Sequence, residues 1–571
     1  MTKYGSDIIC DALEQLGVST VFGMPGTQNV PLYEALKGSK LRAITTSNEM
    51  AATLAAVGYY RASGKTGVVT TIPGPGFTFA LTGLAEASLD SCAILHIVSS
   101  SGDGTQRLFQ HQYLDMAGIA RPMVKEVLIV NQISELAETV AHGYRLASSG
   151  EPGPVLLIFD KKLYTESGEI RPLAPAPAVS PCKSELIDEI VRAMSSSNKM
   201  ALLAGLGGQA EAESVRRLAS LLNAPVLTTN SGRGVIPECD PLSLYFDYSC
   251  GGGEAVNDFI AQCNLVLALG CKLSHNGSGG FKLRIPKEKL IHVDASEQSL
   301  NANYPARLAV QADLGAFLKS LSPRIAPAVG RGWSTHDISQ WRNRFVAEQT
   351  ARMKTEPMVA AGSSVISITQ FFEAFQKSLP NDAIVLTDSG LHQVLVRRHL
   401  QVKGARGLIT PADFQSMGFG LPAALGAKLA VPQRPVILVI VDGGMAISGM
   451  ELLTAVREQI HLTVVVFNDG YLNLIRMQQI EGGNREHATK LGNPDFAMLA
   501  EAVGANYFCP GDNLEESIRS AVTAPGVNLL EISLGDSPGL ANIRLKGIVR
   551  REIRKLVRPT MLTRIKRFIG R

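Results

Sequence analysis

The sequence predicts an α/β protein of three doubly wound domains, each built around a parallel sheet. Short, largely β-branched apolar runs recur along the chain: Thr66–Ile72, Ala93–Val98, Val155–Phe159, Leu265–Leu269, Leu290–Val293, Ile384–Thr387, Val436–Val441 and Leu462–Phe467. They lack polar alternation, which is the pattern of parallel strands covered on both faces. Helical stretches separate them, such as Met450–Glu458 after Val436–Val441, so the repeating unit is strand–helix–strand. Two breaks divide the chain. Gly168 to Lys183 carries Pro172, Pro175, Pro177 and Pro181, too many for a helix or a central strand. Ser322 to Gly362 has Pro and Gly at both ends around a polar helical stretch. The segments are then 1–168, 184–322 and 362–540, followed by a tail, 541–571.

Composition bounds the function. Apolar residues make up 45% and charged residues 19% of 571, a globular balance rather than a disordered one. The net charge of +4 is unevenly spread: residues 544–571 hold eleven Lys/Arg against the single acid Glu552, which leaves the body acidic and without a nucleic-acid surface. The eight cysteines (10, 92, 182, 239, 250, 263, 271, 509) form no CxxC pair, as expected in a reducing cytoplasm. The first residues, MTKYGSDIICDALEQLGV, read as an amphipathic helix rather than a signal peptide. No run reaches the ~18 apolar residues of a membrane span.

Ligands of such sheets bind beyond the carboxyl ends of the strands. Val436–Val441 runs directly into Asp442-Gly443-Gly444, and Leu462–Phe467 ends in Asn468-Asp469-Gly470-Tyr471. Two strand ends thus each present a carboxylate, Asp442 and Asp469, beside glycines. Hard oxygen ligands with room for a phosphate suit octahedral Mg²⁺ bridging to a diphosphate. The glycines let backbone N–H groups approach phosphate oxygens where the next helix begins. For either carboxylate alone, an ordinary acidic turn remains the alternative.

Other runs belong with this pair. Ser47-Asn48-Glu49-Met50-Ala51-Ala52 follows a strand, Leu41–Thr46, and opens an Ala-rich helix leading to Gly58-Tyr59-Tyr60-Arg61-Ala62-Ser63-Gly64. Phe22-Gly23-Met24-Pro25-Gly26 and Pro73-Gly74-Pro75-Gly76 are glycine–proline loops, and Thr387-Asp388-Ser389-Gly390-Leu391-His392-Gln393 is a third strand end. Residues 416–430, SMGFGLPAALGAKLA, make a small-residue helix start. Together these motifs resemble those of thiamine-diphosphate (ThDP) enzymes of the acetolactate synthase (acetohydroxyacid synthase large subunit) and 2-keto acid decarboxylase family, whose diphosphate motif reads G-D-G. Here Val441 stands in place of its first glycine.

The resemblance implies a role for each segment: pyrimidine-binding, central, and diphosphate-binding. It makes Asp442, Asp469 and the carbonyl of Tyr471 the Mg²⁺ ligands, with Gly443 and Gly444 at the diphosphate. Gly390, His392 and Gln393 lie on the diphosphate side, and Pro25, Gly26 and Pro75 near the pyrimidine. Met417 props the cofactor into its bent form, with the backbones of Gln415 and Met417 at the pyrimidine edge. Glu49 faces the aminopyrimidine and exchanges the proton that activates the cofactor; a carboxyl enclosed by small apolar residues suits that task. The family places the cofactor between subunits, which implies a homodimer or homotetramer.

Which reaction follows is less sharply written. Gly104-Thr105-Gln106-Arg107-Leu108-Phe109-Gln110 resembles the G-T-x-x-F-Q loop of acetolactate synthases with one extra residue, making Phe109 and Gln110 substrate-positioning candidates. The His-His pair of pyruvate decarboxylases is not seen, although His111 is adjacent, and that favours carboligation over aldehyde release. In Leu472–Gln479, Gln478 falls where biosynthetic synthases carry Trp, which opens the acceptor pocket and adds hydrogen-bonding groups. Gly270-Cys271-Lys272-Leu273-Ser274 stands where FAD-binding synthases read G-x-R-F-D-D-R, so FAD is left open. The expected reaction is decarboxylation of a 2-keto acid, first pyruvate, with transfer of the two-carbon unit to a carbonyl acceptor. Acetolactate is the default product; a nucleotide-linked keto sugar as acceptor, simple decarboxylation, and an inactive ThDP-binding paralogue are the alternatives.

In the tail, Arg550, Arg551, Arg554, Lys555 and Arg558 interleave with Ile553, Leu556 and Val557, a basic amphipathic helix before Pro559; Thr563–Ile569 repeats the mixture. It reads as a solvated end, as a helix docking on an anionic membrane, or as a cap over an acidic substrate.

Overall fold

The computed structural model describes residues 2–101, 109–170, 172–177, 180–244, 253–327, 332–350, 356–537 and 539–556. Its first sheet has six parallel strands: β1 (Thr20–Gly23), β2 (Arg42–Thr45), β3 (Gly67–Thr71), β4 (Ile94–Ser99), β5 (Glu126–Val130) and β6 (Pro154–Phe159), in the order β2-β1-β3-β4-β6-β5. Thr2–Tyr4 pairs antiparallel with Ser167–Glu169 and ties the ends of this segment together. The second sheet joins β7 (Met200–Ala204), β8 (Val226–Thr228), β9 (Leu265–Leu269), β10 (Leu290–Asp294) and β11 (Leu308–Gln311) in the order β8-β7-β9-β10-β11, again all parallel.

The third sheet has eight strands. β12 (Met358–Ala361) and β13 (Ser364–Ser367) form a hairpin on one flank, followed by β14 (Ile384–Thr387), β15 (Leu408–Ile409), β16 (Val436–Val441), β17 (Leu462–Asn468), β18 (Asn506–Phe508) and β19 (Val527–Gly535). The order is β13-β12-β19-β17-β16-β14-β15, with β18 also on β19. All its pairings are parallel except those of β12. The sheet thus takes its first strand from upstream of Gly362, because that glycine (φ +55°) is the turn of the hairpin rather than a linker end. Otherwise the architecture is the expected one of three α/β units, and the apolar runs are its buried central strands.

The first and third units share a switch of strand order. The chain passes from β1 outward to β2 and returns to β3; likewise it passes from β14 to β15 and returns to β16. Crevices open beyond the strand ends at such points. The helices that position the site are α1 (Glu49–Ser63), α2 (Pro75–Leu89), α3 (Leu391–His399), α4 (Gly420–Ala430), α5 (Asp442–Ser448), α6 (Glu451–Arg457), α7 (Asn473–Glu481) and α8 (Leu540–Leu556).

Helices α1 and α4 lock the two units together. Both are rich in Ala and Gly, so their backbones touch: a Cβ on Gly58 would lie 2.0 Å from the Ala423 carbonyl oxygen, and one on Gly426 would lie 1.8 Å from that of Ala55. One apolar core therefore runs through both units, from Phe22, Ile44 and Ala52 to Leu386, Leu438 and Val464. Among the described residues no helix is long and apolar enough to cross a membrane, and the described cysteines are free.

Replacing Gly426 by Val forces a side chain into the Ala55 carbonyl and is expected to cost about 3 kcal/mol or more, since overpacked cores relax poorly. Calorimetry reads this as a lowered unfolding midpoint; an unchanged midpoint would show that the contact yields without cost.

Candidate active site

At the carboxyl ends of β1, β2 and β3 the first unit gathers Pro25, Gly26, Glu49, Pro75 and Gly76. Asn48 caps α1 by accepting a hydrogen bond from Ala51 N (2.8 Å), which sets Glu49 as the first helical residue. Glu49 is 9% exposed. Its Oε1 lies 2.7 Å from where a Cβ on Gly76 would stand, so only glycine there admits the carboxyl. Gly26 is held by its N–H to Asn29 Oδ1 (2.7 Å) and lies against Ile72, while Pro75 opens α2 after Gly74 (φ +64°). The loop after β4 covers this end: Gln112 rests on Gly74 and hydrogen-bonds Gln28. Phe109 (φ +57°) is 100% exposed, and Gln110, half-buried, accepts from Tyr113 N (3.2 Å). Gly104 to Leu108 of the same motif lie outside the described residues.

The third unit gathers a second set. Val441 is extended (φ −95°, ψ 162°), so its side chain is unstrained, and α5 starts at once with Asp442. The Asp442 carboxylate accepts from Gly443 N, Gly470 N and Asn493 Nδ2, each at 2.7 Å. Asp469, past the end of β17, accepts from Tyr471 N and Asn473 Nδ2, both at 2.9 Å. Burial, and then the charge of Asp442, push the Asp469 carboxyl up to about 6. The Tyr471 ring stacks under the Arg476 guanidinium at 4.3 Å.

Two facing carboxylates whose charges oppose one another are a fitting seat for a divalent cation. Among the described residues no cluster of three or more His, Cys, Asp or Glu ligands exists. Mg²⁺ sites keep waters and phosphate oxygens and take few carboxylates; Asp442 and Asp469 supply two. His392, near the start of α3, is fully buried beside Gly390, whose φ of 150° is open to glycine. The Asp388 backbone approaches the ring, yet neither ring nitrogen forms a well-aligned hydrogen bond among the described residues. Asn473 Oδ1 is likewise buried and unmatched. Orphaned buried polar atoms at a strand end are what a bound oxyanion and its metal would satisfy.

Between the two sets lies the loop Pro411–Phe419. Met417 Cε lies 3.4 Å from where a Cβ on Gly443 would stand, so the methionine packs toward the turn that follows β16. Gln415 adopts φ +59°, an uncommon backbone for a side-chain-bearing residue. Gln393 does not point into this space: its Nε2 donates to Thr410 Oγ1 (2.6 Å) and Pro411 O (2.7 Å) and so supports the loop from behind.

Three buried acids that the sequence reasoning missed hold this loop. Asp388 accepts from Ser389, Gly418 and Gly420 N–H groups. Asp90 accepts from Ala412 and Asp413 N–H groups, both at 2.9 Å, and from Arg61. Glu86 Oε2 accepts from both Ser416 N (3.0 Å) and Oγ (2.6 Å). Asp388 sits within a quoted motif, but Glu86 and Asp90 look like ordinary helix residues in sequence. Asn493, 51 positions from Asp442, has no local signal at all. Gln478 is exposed on α7, away from these contacts in the single chain.

The central unit has a cavity of about 240 Å³ at the carboxyl ends of its strands, walled by Gly270–Ser274. Its two cations are engaged: Lys272 bonds Glu151 (2.6 Å) and Leu89 O (3.0 Å), and Arg406 bonds Arg61 O (2.8 Å). Asp294, Asp313, Glu211 and Asp413 line it together with Gly150, Gly207 and Gly315 and the polar run Thr229–Ser231.

Comparison with known proteins bears on the same three units. Residues 3–119 match the thiamine pyrophosphate enzyme N-terminal TPP binding domain, 187–321 the central domain and 388–532 the C-terminal TPP binding domain. The chain is 30% identical to the acetolactate synthase isozyme 2 large subunit of Escherichia coli, over 93% of this chain and 96% of that protein. It is 29% identical to a probable acetolactate synthase large subunit of Methanocaldococcus jannaschii (96% and 95%) and 30% identical to a probable 2-ketoarginine decarboxylase of Pseudomonas aeruginosa (91% and 92%).

Glu86 offers a pH test. Burial, then Asp90, push its carboxyl from 4.5 up to about 8, and its Oε1 faces Asp90 without a donor of its own. A raised carboxyl favours the protonated fold, so its stabilising contribution is full below about 4.5 and declines as pH rises to about 8. Thermal midpoints of Glu86→Gln are expected to lack this decline; a parallel decline in variant and wild type would refute the assignment.

Proposed function

This chain belongs to the thiamine pyrophosphate enzyme family, with acetolactate synthases and 2-keto acid decarboxylases as relatives, and on that premise we propose that it decarboxylates pyruvate and transfers the two-carbon unit to a carbonyl acceptor. The observation that carries the proposal is the contact of Met417 with Gly443 beside the Asp442–Asp469 pair. Bound there, thiamine diphosphate supplies the electron sink for the carbanion left when CO₂ departs. Asp442, Asp469 and the Tyr471 carbonyl hold Mg²⁺ on the diphosphate, with Gly443, Gly444, Gly390 and His392 around its oxygens. Met417 fills the bend, and the strained backbone at Gln415 aims the loop at the pyrimidine edge. Glu49 holds the proton at the pyrimidine ring nitrogen, in a cleft that Gly76 leaves open.

Phe109, Gln110 and Gln478 are assigned to the substrates. An exposed Gln in place of Trp supports an acceptor as large as a keto sugar besides a second pyruvate. FAD stays open in this reading, since the central cavity combines glycines and polar side chains with several acids. The free, largely buried thiols support a reducing cytoplasm.

The site is read as shared between two copies. Phe79 (61% exposed), Phe414, Ile447, Met450 and Leu453 are exposed around the α1–α4 junction. Met450 and Ile447 are tied to that junction, through Ser47 and Gly418 respectively. An apolar face of this kind calls for a partner, and a two-fold copy supplies one.

Labelled pyruvate with ThDP, Mg²⁺ and a panel of acceptors is expected to give CO₂ and a carboligated product; bound cofactor without CO₂ from any 2-keto acid would refute the reading. Glu49→Gln is expected to lower kcat by about 100-fold or more while cofactor binding persists. Phe79→Asp with Met450→Asp is expected to shift the solution mass toward one chain and abolish turnover. A monomeric wild type with full activity would refute the shared site.

A further inference from the structure

Helix α8 follows the last strand of the third unit and is pinned along one side. A Cβ on Gly547 would lie 2.1 Å from the Ile480 carbonyl of α7, and one on Gly483 would lie 2.1 Å from the Gly547 carbonyl. Arg544 pairs with Glu486, which also holds Arg476 (2.7 Å). Leu540, Gly547 and Arg551 thus form the inner row, and backbone contact at Gly547 fixes the rotation of the helix. The opposite side is largely apolar, with the exposed Glu552 three residues from Val549 and four from Ile548 on the same side. Leu545 (61% exposed), Val549 (48%) and Ile553 (51%) form a row at four-residue spacing, with Ile548 beside it. Lys546 and Arg550, both exposed, border that row on one edge and Arg544 on the other.

We propose that the outward face of α8 docks in the plane of a membrane surface bearing anionic lipid headgroups, with Leu545, Ile548, Val549 and Ile553 inserted and Lys546 and Arg550 at headgroup level. Charge complementarity selects this occupant. Lys546 and Arg550 flank the apolar row on one edge, where long basic side chains reach the headgroups while their stems cover apolar surface. The body is acidic whereas residues 544–571 hold eleven basic residues against one acid, so an anionic surface attracts this end and repels the rest. From Leu545 to Ile553 the row spans about 12 Å at 1.5 Å per residue, enough to lie along a surface and too short to cross a bilayer. The proposal is independent of the reaction assigned above.

The test is co-sedimentation of the full chain with vesicles of equal parts phosphatidylglycerol and phosphatidylcholine, against vesicles of phosphatidylcholine alone. The expected result is binding at least tenfold tighter to the anionic vesicles, weakened by salt. Leu545→Ser with Val549→Ser is expected to reduce it about tenfold or more. Lys546→Gln is expected to reduce it about fivefold, as each surface cation contributes roughly 1 kcal/mol. All variants should turn over normally in solution, which verifies the fold. Equal sedimentation with both vesicles, or full binding by the serine variant, would overturn the proposal. So would a fall in oligomeric mass on Leu545→Ser with Val549→Ser, which would mean that a second copy covers the row.

Discussion

Everything in this molecule depends on two helices that approach until their backbones touch. Gly58 and Gly426 leave no room for a Cβ against the carbonyls of Ala423 and Ala55, and this contact decides where the first unit meets the third. Loops at the carboxyl ends of two separate sheets are thereby brought to one junction. Small residues serve because only they allow such an approach. The price is a core whose stability rests on shape rather than on large apolar side chains.

Buried acids then do the fine positioning. Asp388, Asp90 and Glu86 accept hydrogen bonds from backbone N–H groups between Ser389 and Gly420. A carboxylate taken out of water is costly unless it is matched by donors, so each acid fixes the loop that supplies its donors. Arg61 is buried against Asp90 and balances one of the charges. The loop carrying Gln415 and Met417 is held from α2 on one side and from β14 on the other. The uncommon backbone at Gln415 persists because its surroundings are fixed on both sides.

The same logic separates the site from its setting. Asp442 and Asp469 are brought face to face with their charges opposed, and His392 and Asn473 keep polar atoms unmatched. Structural networks usually satisfy such groups; unmatched atoms also occur elsewhere, at His96, Tyr164 and Asn230 among others, so it is the pair of acids at neighbouring strand ends that sets this place apart. The cavity beyond the central strands is bordered by all three units, with its two cations already engaged by Glu151 and by the Leu89 and Arg61 carbonyls.

The sequence by itself determined the three α/β units, because strands covered on both faces must be continuously apolar, and the run Val436–Val441 stands unchanged as a strand. It also pointed to Asp442 and Asp469 as candidates, since a strand end followed by an acid and glycines is a local pattern, and to Glu49 and Met417 through their resemblance to family motifs. Local patterns could not reveal Glu86, Asp90 or Asn493, whose partners lie far away in the chain and carry no shared motif. Nor could they show that Gln393 faces backward, that Val441 is extended, or that α8 turns its apolar row outward. Those outcomes follow from long-range packing: a side chain's direction is set by the backbone it is pressed against, and that backbone is supplied by another part of the chain.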